Sequence, residues 1–194
     1  AFDPGFLRWV EMSLGQTVET SKDAWCWLRE GYRPGLDSGT KPIKNIERWL
    51  TQRDSSSDAI SKPAKKIDLG PASGHWSVAK DYEFHARQAD SSKNSNALNF
   101  HIDKDFLDRS KSHKLTIIVN WIDSPNSAWR LVYSGKNGMT KSEVVNNKGH
   151  EMHSGIFEIE DFVASGSLPG SADFKIVKEK DRDGVISFVR IIKD

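Results

Sequence analysis

The sequence predicts a mainly β protein: an antiparallel β-sandwich of the jelly-roll type with an N-terminal helical extension packed on it. Two observations carry the β prediction. From about residue 76 onward, apolar and polar residues alternate in short runs, which is the period of a strand. Clusters of Gly, Ser, Asn and Pro separate these runs, with no helical segment between them, which is typical of antiparallel sandwiches. We therefore expect an extension or linker over residues 1–75 and a β-sandwich over residues 76–194.

Apolar residues recur at helical spacing in three N-terminal segments. The first ends at Gly15, the second begins near Thr20, and the third spans residues 43–50. The expected apolar face of the second segment comprises Ala24, Trp25 and Leu28. Because Thr20 and Asp23 have capping-box spacing and Gly is a common helix stop, we expect three short helices that dock onto the sheet.

Eight segments have the alternation expected of strands. They lie in residues 82–89, 96–103, 115–122, 129–134, 142–147, 153–161, 173–180 and 184–193. The turn-forming stretch DSPNS separates the third from the fourth, so we expect a central β-hairpin there. Both faces of the central and last strands carry apolar residues, so we expect both faces to be covered.

Composition narrows the classes of partner. The chain has 28 Lys and Arg against 27 Asp and Glu, a net charge of +1, without the basic surplus of a nucleic-acid-binding protein. No apolar run reaches the roughly 20 residues that a membrane helix needs. The single Cys26 excludes an internal disulfide framework. We therefore expect neither nucleic acid nor a membrane as a partner.

Three groups of segments resemble the jelly-roll accessory domains, similar to carbohydrate-binding modules, of bacterial polysaccharide-degrading enzymes. They are HARQAD with NALNFHIDKDF, VNWIDSPNSAWRLVY, and ADFKI with ISFVRIIK, all within residues 76–194. DAWCWLRE and IERWLTQRD resemble segments that link such a sandwich to a catalytic barrel in glycoside hydrolases. The sequence departs from the family pattern in KGHEMHSG, which has His150 and Met152 where a Trp is expected soon after the Gly.

The resemblance implies a non-catalytic module that binds a polysaccharide or oligosaccharide. It also implies a covalently linked catalytic domain and a secreted, periplasmic or cell-surface location. Two alternatives stay open: a structural spacer that packs on a catalytic domain through exposed Trp9, Trp25 and Trp27, and a jelly-roll polysaccharide lyase or hydrolase.

Aromatic residues near loops are the best candidates for contact with a sugar, because sugar rings stack on indoles. We expect both sheet faces to be covered, so we place the site at a loop-lined edge of the sandwich. There the turn before Trp129, the loop around Trp76 and the segment KGHEMH can meet. The candidate carbohydrate-binding residues are Trp76, Arg87, Trp129, Arg130, His150 and His153. For Trp129 core packing is the alternative, and for Arg87 an ion pair with Glu83.

The sequence gives no signature of a catalytic group or a cofactor. The close HxH spacing of a cupin metal site is absent. We therefore expect no cofactor, with a structural calcium ion as the alternative. The carboxylates near predicted strand ends that favour calcium are Asp81, Glu83, Asp103, Asp105 and Asp173.

Overall fold

The fold is seen in a computed structural model, which describes residues 14–28, 45–55, 59–64, 86–149, 151–180 and 184–194. Within these residues, thirteen strands form one antiparallel sheet. They are β1 (Asp23–Trp27), β2 (Ile46–Arg48), β3 (Leu50–Arg53), β4 (Ser61–Pro63), β5 (Arg87–Ala89), β6 (Ala97–Ile102), β7 (His113–Ile122), β8 (Ala128–Gly135), β9 (Gly138–Lys141), β10 (Val145–Asn146), β11 (Met152–Phe162), β12 (Phe174–Lys178) and β13 (Val185–Lys193).

The sheet runs β2-β1-β13-β7-β11-β8-β12-β6-β3, so its two margins are strands that follow one another in the chain. Trp49 alone separates β2 from β3. The backbone bends there, because Trp49 has a φ of 55°, an uncommon conformation for a bulky residue. β2 pairs with β1, whereas β3 pairs with β6. The sheet is therefore nearly closed and barrel-like, and the prediction of a mainly antiparallel β protein is confirmed.

One hydrophobic cluster fills the inside of the sheet. The inner side chains of β7 are Leu115, Ile117, Val119 and Trp121, and they pack with those of β8 and β13 in the same cluster. Each inner β7 residue is at most 8% exposed, whereas Thr116, Ile118 and Asn120 on the other face are half-buried. The alternation predicted for this strand is confirmed.

The prediction of N-terminal helices is wrong for the described residues, which contain no α-helix. Residues 23–27 form β1, and residues 46–53 form β2 and β3. The error has a physical cause, because Ala24 and Leu28 are four residues apart, a spacing that places them on one face of a helix and also on one face of a strand. The antiparallel pairing of β1 with β13 stabilises the strand conformation here. Most of the first predicted helix, residues 6–13, lies outside the described part, and Leu14 lies in a turn.

The central pair of strands also differs from its prediction. β7 and β8 form as expected, but β7 pairs with β11 and β13, whereas β8 pairs mainly with β12, β9 and β10. The segment 123–127 is therefore a corner between two parts of the sheet, and not the turn of a hairpin.

Two shorter features complete the described fold. Single 3-10 turns occupy Ser91–Lys93 and Pro169–Ser171. In the described residues no helix is long and apolar enough to cross a membrane.

Trp25 is 5% exposed and stacks on Phe188, so it does not provide the exposed surface that the spacer alternative requires of it. Trp9 lies outside the described part.

Candidate functional site

Trp121 is the centre of a polar cluster at the end of β7. Alternation on this strand turns the indole toward the core, where it meets Trp129 edge-on at a centroid distance of 5.2 Å. Its Nε1 donates hydrogen bonds to Asp123 Oδ1 at 2.9 Å and to Asn147 Oδ1 at 3.0 Å. Trp121 therefore joins the hydrophobic core to the loops that follow β7 and β10.

The Asp123 carboxylate holds these two loops together. Its Oδ2 accepts hydrogen bonds from the backbone N–H groups of Lys148 and Gly149, each at 3.2 Å. Burial alone raises the pKa of the Asp123 carboxyl, but the hydrogen bonds from Trp121 and the two N–H groups outweigh burial and lower the pKa below its ordinary value. Asp123 therefore keeps a negative charge at neutral pH, next to the imidazole of His153.

His153 is the exposed member of the cluster. Its ring stacks on Trp121 with centroids 5.5 Å apart and an interplanar angle of 27°. Its Nε2 lies 3.1 Å from Asp123 Oδ2, and its side chain is 40% exposed against 9% for Asp123. Nε2 is therefore the ring nitrogen next to the carboxylate, and the described residues place no hydrogen-bond partner on Nδ1.

Asn147 fixes the loop from the other side. Its Nδ2 donates to Ser127 Oγ at 2.6 Å, and the Ser127 hydroxyl donates to the carbonyl oxygen of Ser124 at 2.8 Å. The backbone N–H of Asp123 also donates to Glu151 O at 2.8 Å. The segment 123–127 is thus hydrogen-bonded to Asn147, Lys148, Gly149 and Glu151. We call Trp121, Asp123, Asn147 and His153 the His153 site.

Aromatic packing in the core supports the site. Trp129 contacts both Trp121 and Phe157, with ring centroids 5.2 and 5.8 Å away. Gly155 leaves the room that the Trp121 ring needs, because an added Cβ would lie 3.0 Å from Trp121 Cζ3. These contacts fix the indole on which His153 rests.

The six candidate residues of the sequence analysis have different positions relative to the His153 site. His153 lies in the site. Trp129 is 0% exposed, so it supports the site from the core and offers no face to a sugar, as its core alternative predicts. Arg130 pairs with Glu179, Nη2 to Oε2 at 2.8 Å, and does not join the cluster. Trp76 and His150 lie outside the described residues.

Two strands, β13 and β7, lie between Arg87 and His153. Arg87 pairs in register with Ile186 of β13, which pairs with Trp121. The guanidinium donates from Nη2 to Ser61 Oγ at 2.7 Å. The ion pair with Glu83 considered for Arg87 involves a residue outside the described part.

Two of the three segments expected to meet at a loop-lined edge do so. The turn before Trp129 is joined through Asp123 to Lys148 and Gly149 at the start of the segment KGHEMH. Sequence reasoning missed Asp123 and Asn147 as site residues and assigned Trp121 to the core alone. The available signal was an Asp two residues after the last inward-facing Trp of a strand, where the next carboxylate on the same side can reach the indole N–H.

No three His, Cys, Asp or Glu side chains converge as metal ligands within the described ranges. Asp173, one of the acids considered for calcium, accepts hydrogen bonds from Arg109, from Ile102 N and from Gly166 N. Asp103 and Asp105 lie in a turn, where Asp103 Oδ1 accepts from the Asp105 N–H. Asp81 and Glu83 lie outside the described residues.

The chain was compared with protein-family models, with curated proteins and with solved structures, and it matches none of them.

Proposed function

We propose that the chain is a non-catalytic carbohydrate-binding module, a β-sandwich of the jelly-roll type that binds a polysaccharide or oligosaccharide at the His153 site. The observation that carries the proposal is the half-exposed imidazole held on a buried indole. Its Nε2 lies 3.1 Å from Asp123 Oδ2, its ring stacks on Trp121, and its side chain is 40% exposed. A ring with an apolar face and polar nitrogens suits a sugar, which presents C–H groups and hydroxyls together.

The rim of the site supports the same ligand class. Asn126, Asn146 and Lys148 are exposed around the two hydrogen-bonded loops, and amides can donate to and accept from hydroxyls. The loops themselves are fixed by Asp123 and Asn147. A rigid rim lowers the entropy cost of binding, which matters because a solvated glycan gives up water hydrogen bonds. We expect dissociation constants of roughly micromolar to millimolar.

The wider role follows from the resemblance given above. A binding module of this kind would be linked to a catalytic domain that degrades the same glycan, outside the cell or at its surface. The module would raise the local concentration of the enzyme on its substrate.

Affinity electrophoresis against a panel of neutral and anionic soluble polysaccharides tests the proposal. We expect at least one glycan to retard the chain, and His153→Ala to lose that retardation. His113→Ala is the matched control, because His113 lies at the opposite end of β7 and contacts Asp108 O. Near-ultraviolet circular dichroism of each variant checks the fold. No retardation by the panel, or equal retardation of both variants, would contradict the proposal.

A jelly-roll polysaccharide lyase or hydrolase is the second candidate, favoured by the His153–Asp123 hydrogen bond. A carboxylate that orients an imidazole is part of many acid–base sites. Incubation with uronate polysaccharides should give a rising ultraviolet absorbance from unsaturated ends if the chain is a lyase. An ultraviolet absorbance that stays constant with every polysaccharide of the panel would contradict a lyase activity.

A further inference from the structure

β11 has an open edge over most of its length. Residues 152–159 pair with β7 on one side. On the other side, β11 joins a described strand only at its far end, through Phe162 and Gly135 of β8. The backbone N–H and C=O groups along that edge therefore have no strand partner within the described part of the chain, and such a row is a template for another strand.

The other strands of the described sheet that have a single partner strand are short. They are β2, β3, β4, β9 and β10, with two to four residues each, and β4 also contains Lys62 and Pro63. Short length, Lys and Pro all discourage strand addition. In contrast, the first six residues of β11, MHSGIF, include neither a Pro nor a Lys, Arg, Asp or Glu.

Exposed apolar side chains lie along the same unprotected stretch. Met152 is 61% exposed and Ile156 is 68% exposed, with exposed Ser154 midway between them on the same face. In an antiparallel pair centred on Ser154, Met152 of each copy lies opposite Ile156 of the other copy. A dimer with its two-fold axis at Ser154 therefore covers Met152 and Ile156 of both copies.

We propose that the chain forms a homodimer in which β11 pairs antiparallel with β11 of a second copy, with the two-fold axis at Ser154. A second copy is the occupant because the strand is complementary to itself about this one residue. In the same register Gly155 of the second copy lies opposite His153. The residue directly opposite the imidazole then has no side chain, so the dimer and the His153 site are compatible.

Sedimentation equilibrium of the full chain tests the association. We expect a concentration-dependent monomer–dimer equilibrium for the wild-type chain. Ile156→Lys should weaken it by about tenfold or more, because the ammonium would lie against Met152 of the second copy. Met139→Lys should leave it unchanged, since Met139 is equally exposed, at 64%, but lies on β9. A monomer up to millimolar concentration, or an equal effect of both variants, would overturn the proposal.

Disulfide trapping tests the register. Directly opposed residues of an antiparallel pair have Cα atoms about 4.5–5.5 Å apart, within the range that a disulfide spans. S154C should therefore form a covalent dimer under mild oxidation. E158C, on the same exposed face but distant from the axis, is the matched control and should not. Cys26 is buried and does not interfere. Trapping of E158C as efficiently as S154C, or of neither, would overturn the assigned axis.

Discussion

At the residue scale, Asp123 connects more of the site than any other side chain. Its two oxygens accept from Trp121, Lys148 and Gly149 and lie beside His153. Alternation predicted that Trp121 and Trp129 face the core, but it gave no information on what their polar atoms contact. That depends on the position of residues 147–149, which contact Trp121 and Asp123 across more than twenty residues of sequence, and no local pattern encodes this contact.

Replacement of Asp123 by Ala should destabilise the fold. The change removes the acceptor of the Lys148 and Gly149 N–H groups and one of the two acceptors of the buried Trp121 indole N–H, and the loss of such hydrogen bonds costs about 1–3 kcal/mol. Urea denaturation followed by tryptophan fluorescence measures the loss. Asp105→Ala is the control, because the Asp105 side chain is 56% exposed in a surface pair, and it should change stability by less than about 0.5 kcal/mol. Equal midpoints for the two variants would contradict the assigned role of Asp123.

The thiol of Cys26 should be inert in the native chain. Burial raises its pKa well above the ordinary value, and the nearby Glu47 carboxylate acts in the same direction, so almost no thiolate forms at neutral pH. We expect an aromatic disulfide reagent to label Cys26 only after guanidine is added. Rapid labelling of the native chain would show that β1 opens far more readily than its burial implies.

At the scale of elements, β7, β8, β11 and β13 follow their predictions because their alternation extends over eight residues or more. β1, β2 and β3 do not, because each is at most five residues long. In so short a segment, apolar spacings of four residues fit a helix and a strand equally. Pairing with β13 and β6 decides their structure, and pairing is a tertiary effect.

Gly155 provides an element-scale prediction. A Cβ there would lie 3.0 Å from Trp121 Cζ3 and 3.4 Å from Phe157 Cε2, so Gly155→Val should destabilise the fold by about 1–3 kcal/mol through overpacking. Chemical denaturation checks the value. Glu158→Val, at an exposed position of the same strand, should stay within about 0.5 kcal/mol of the wild type. A neutral Gly155→Val would mean that the indole is not held as described.

At the scale of the whole molecule, the nearly closed sheet depends on contacts between distant segments. Trp49, at the bend between β2 and β3, stacks on Phe106 with centroids 6.2 Å apart and has the Arg48 guanidinium 4.1 Å above its ring. The sequence predicted the antiparallel class but not this closure. The positive φ of Trp49 arises from the demands of two neighbouring strands and has no glycine to mark it.

The ion pair between Lys62 of β4 and Asp90, which follows β5, should make the stability of the fold depend on pH. Hydrogen bonds from Lys62 and Ser92 lower the pKa of Asp90 from 3.8 to about 2. Because the folded state holds this proton less tightly, the pair contributes stability above pH 4 that is lost as the pH falls toward 2. D90N should flatten the dependence of the denaturation midpoint on pH in that window. The same slope in D90N and in the wild type would exclude Asp90 as its source.

The most direct test of the proposed function is a two-dimensional NMR titration with a glycan that retards the chain in electrophoresis. The account predicts that the indole N–H signal of Trp121, assigned with Trp121→Phe, shifts together with the backbone N–H signals of Lys148 and Gly149, because all three groups donate to Asp123 beside His153. Shifts confined to the opposite end of β7, or shifts unchanged in His153→Ala, would contradict it.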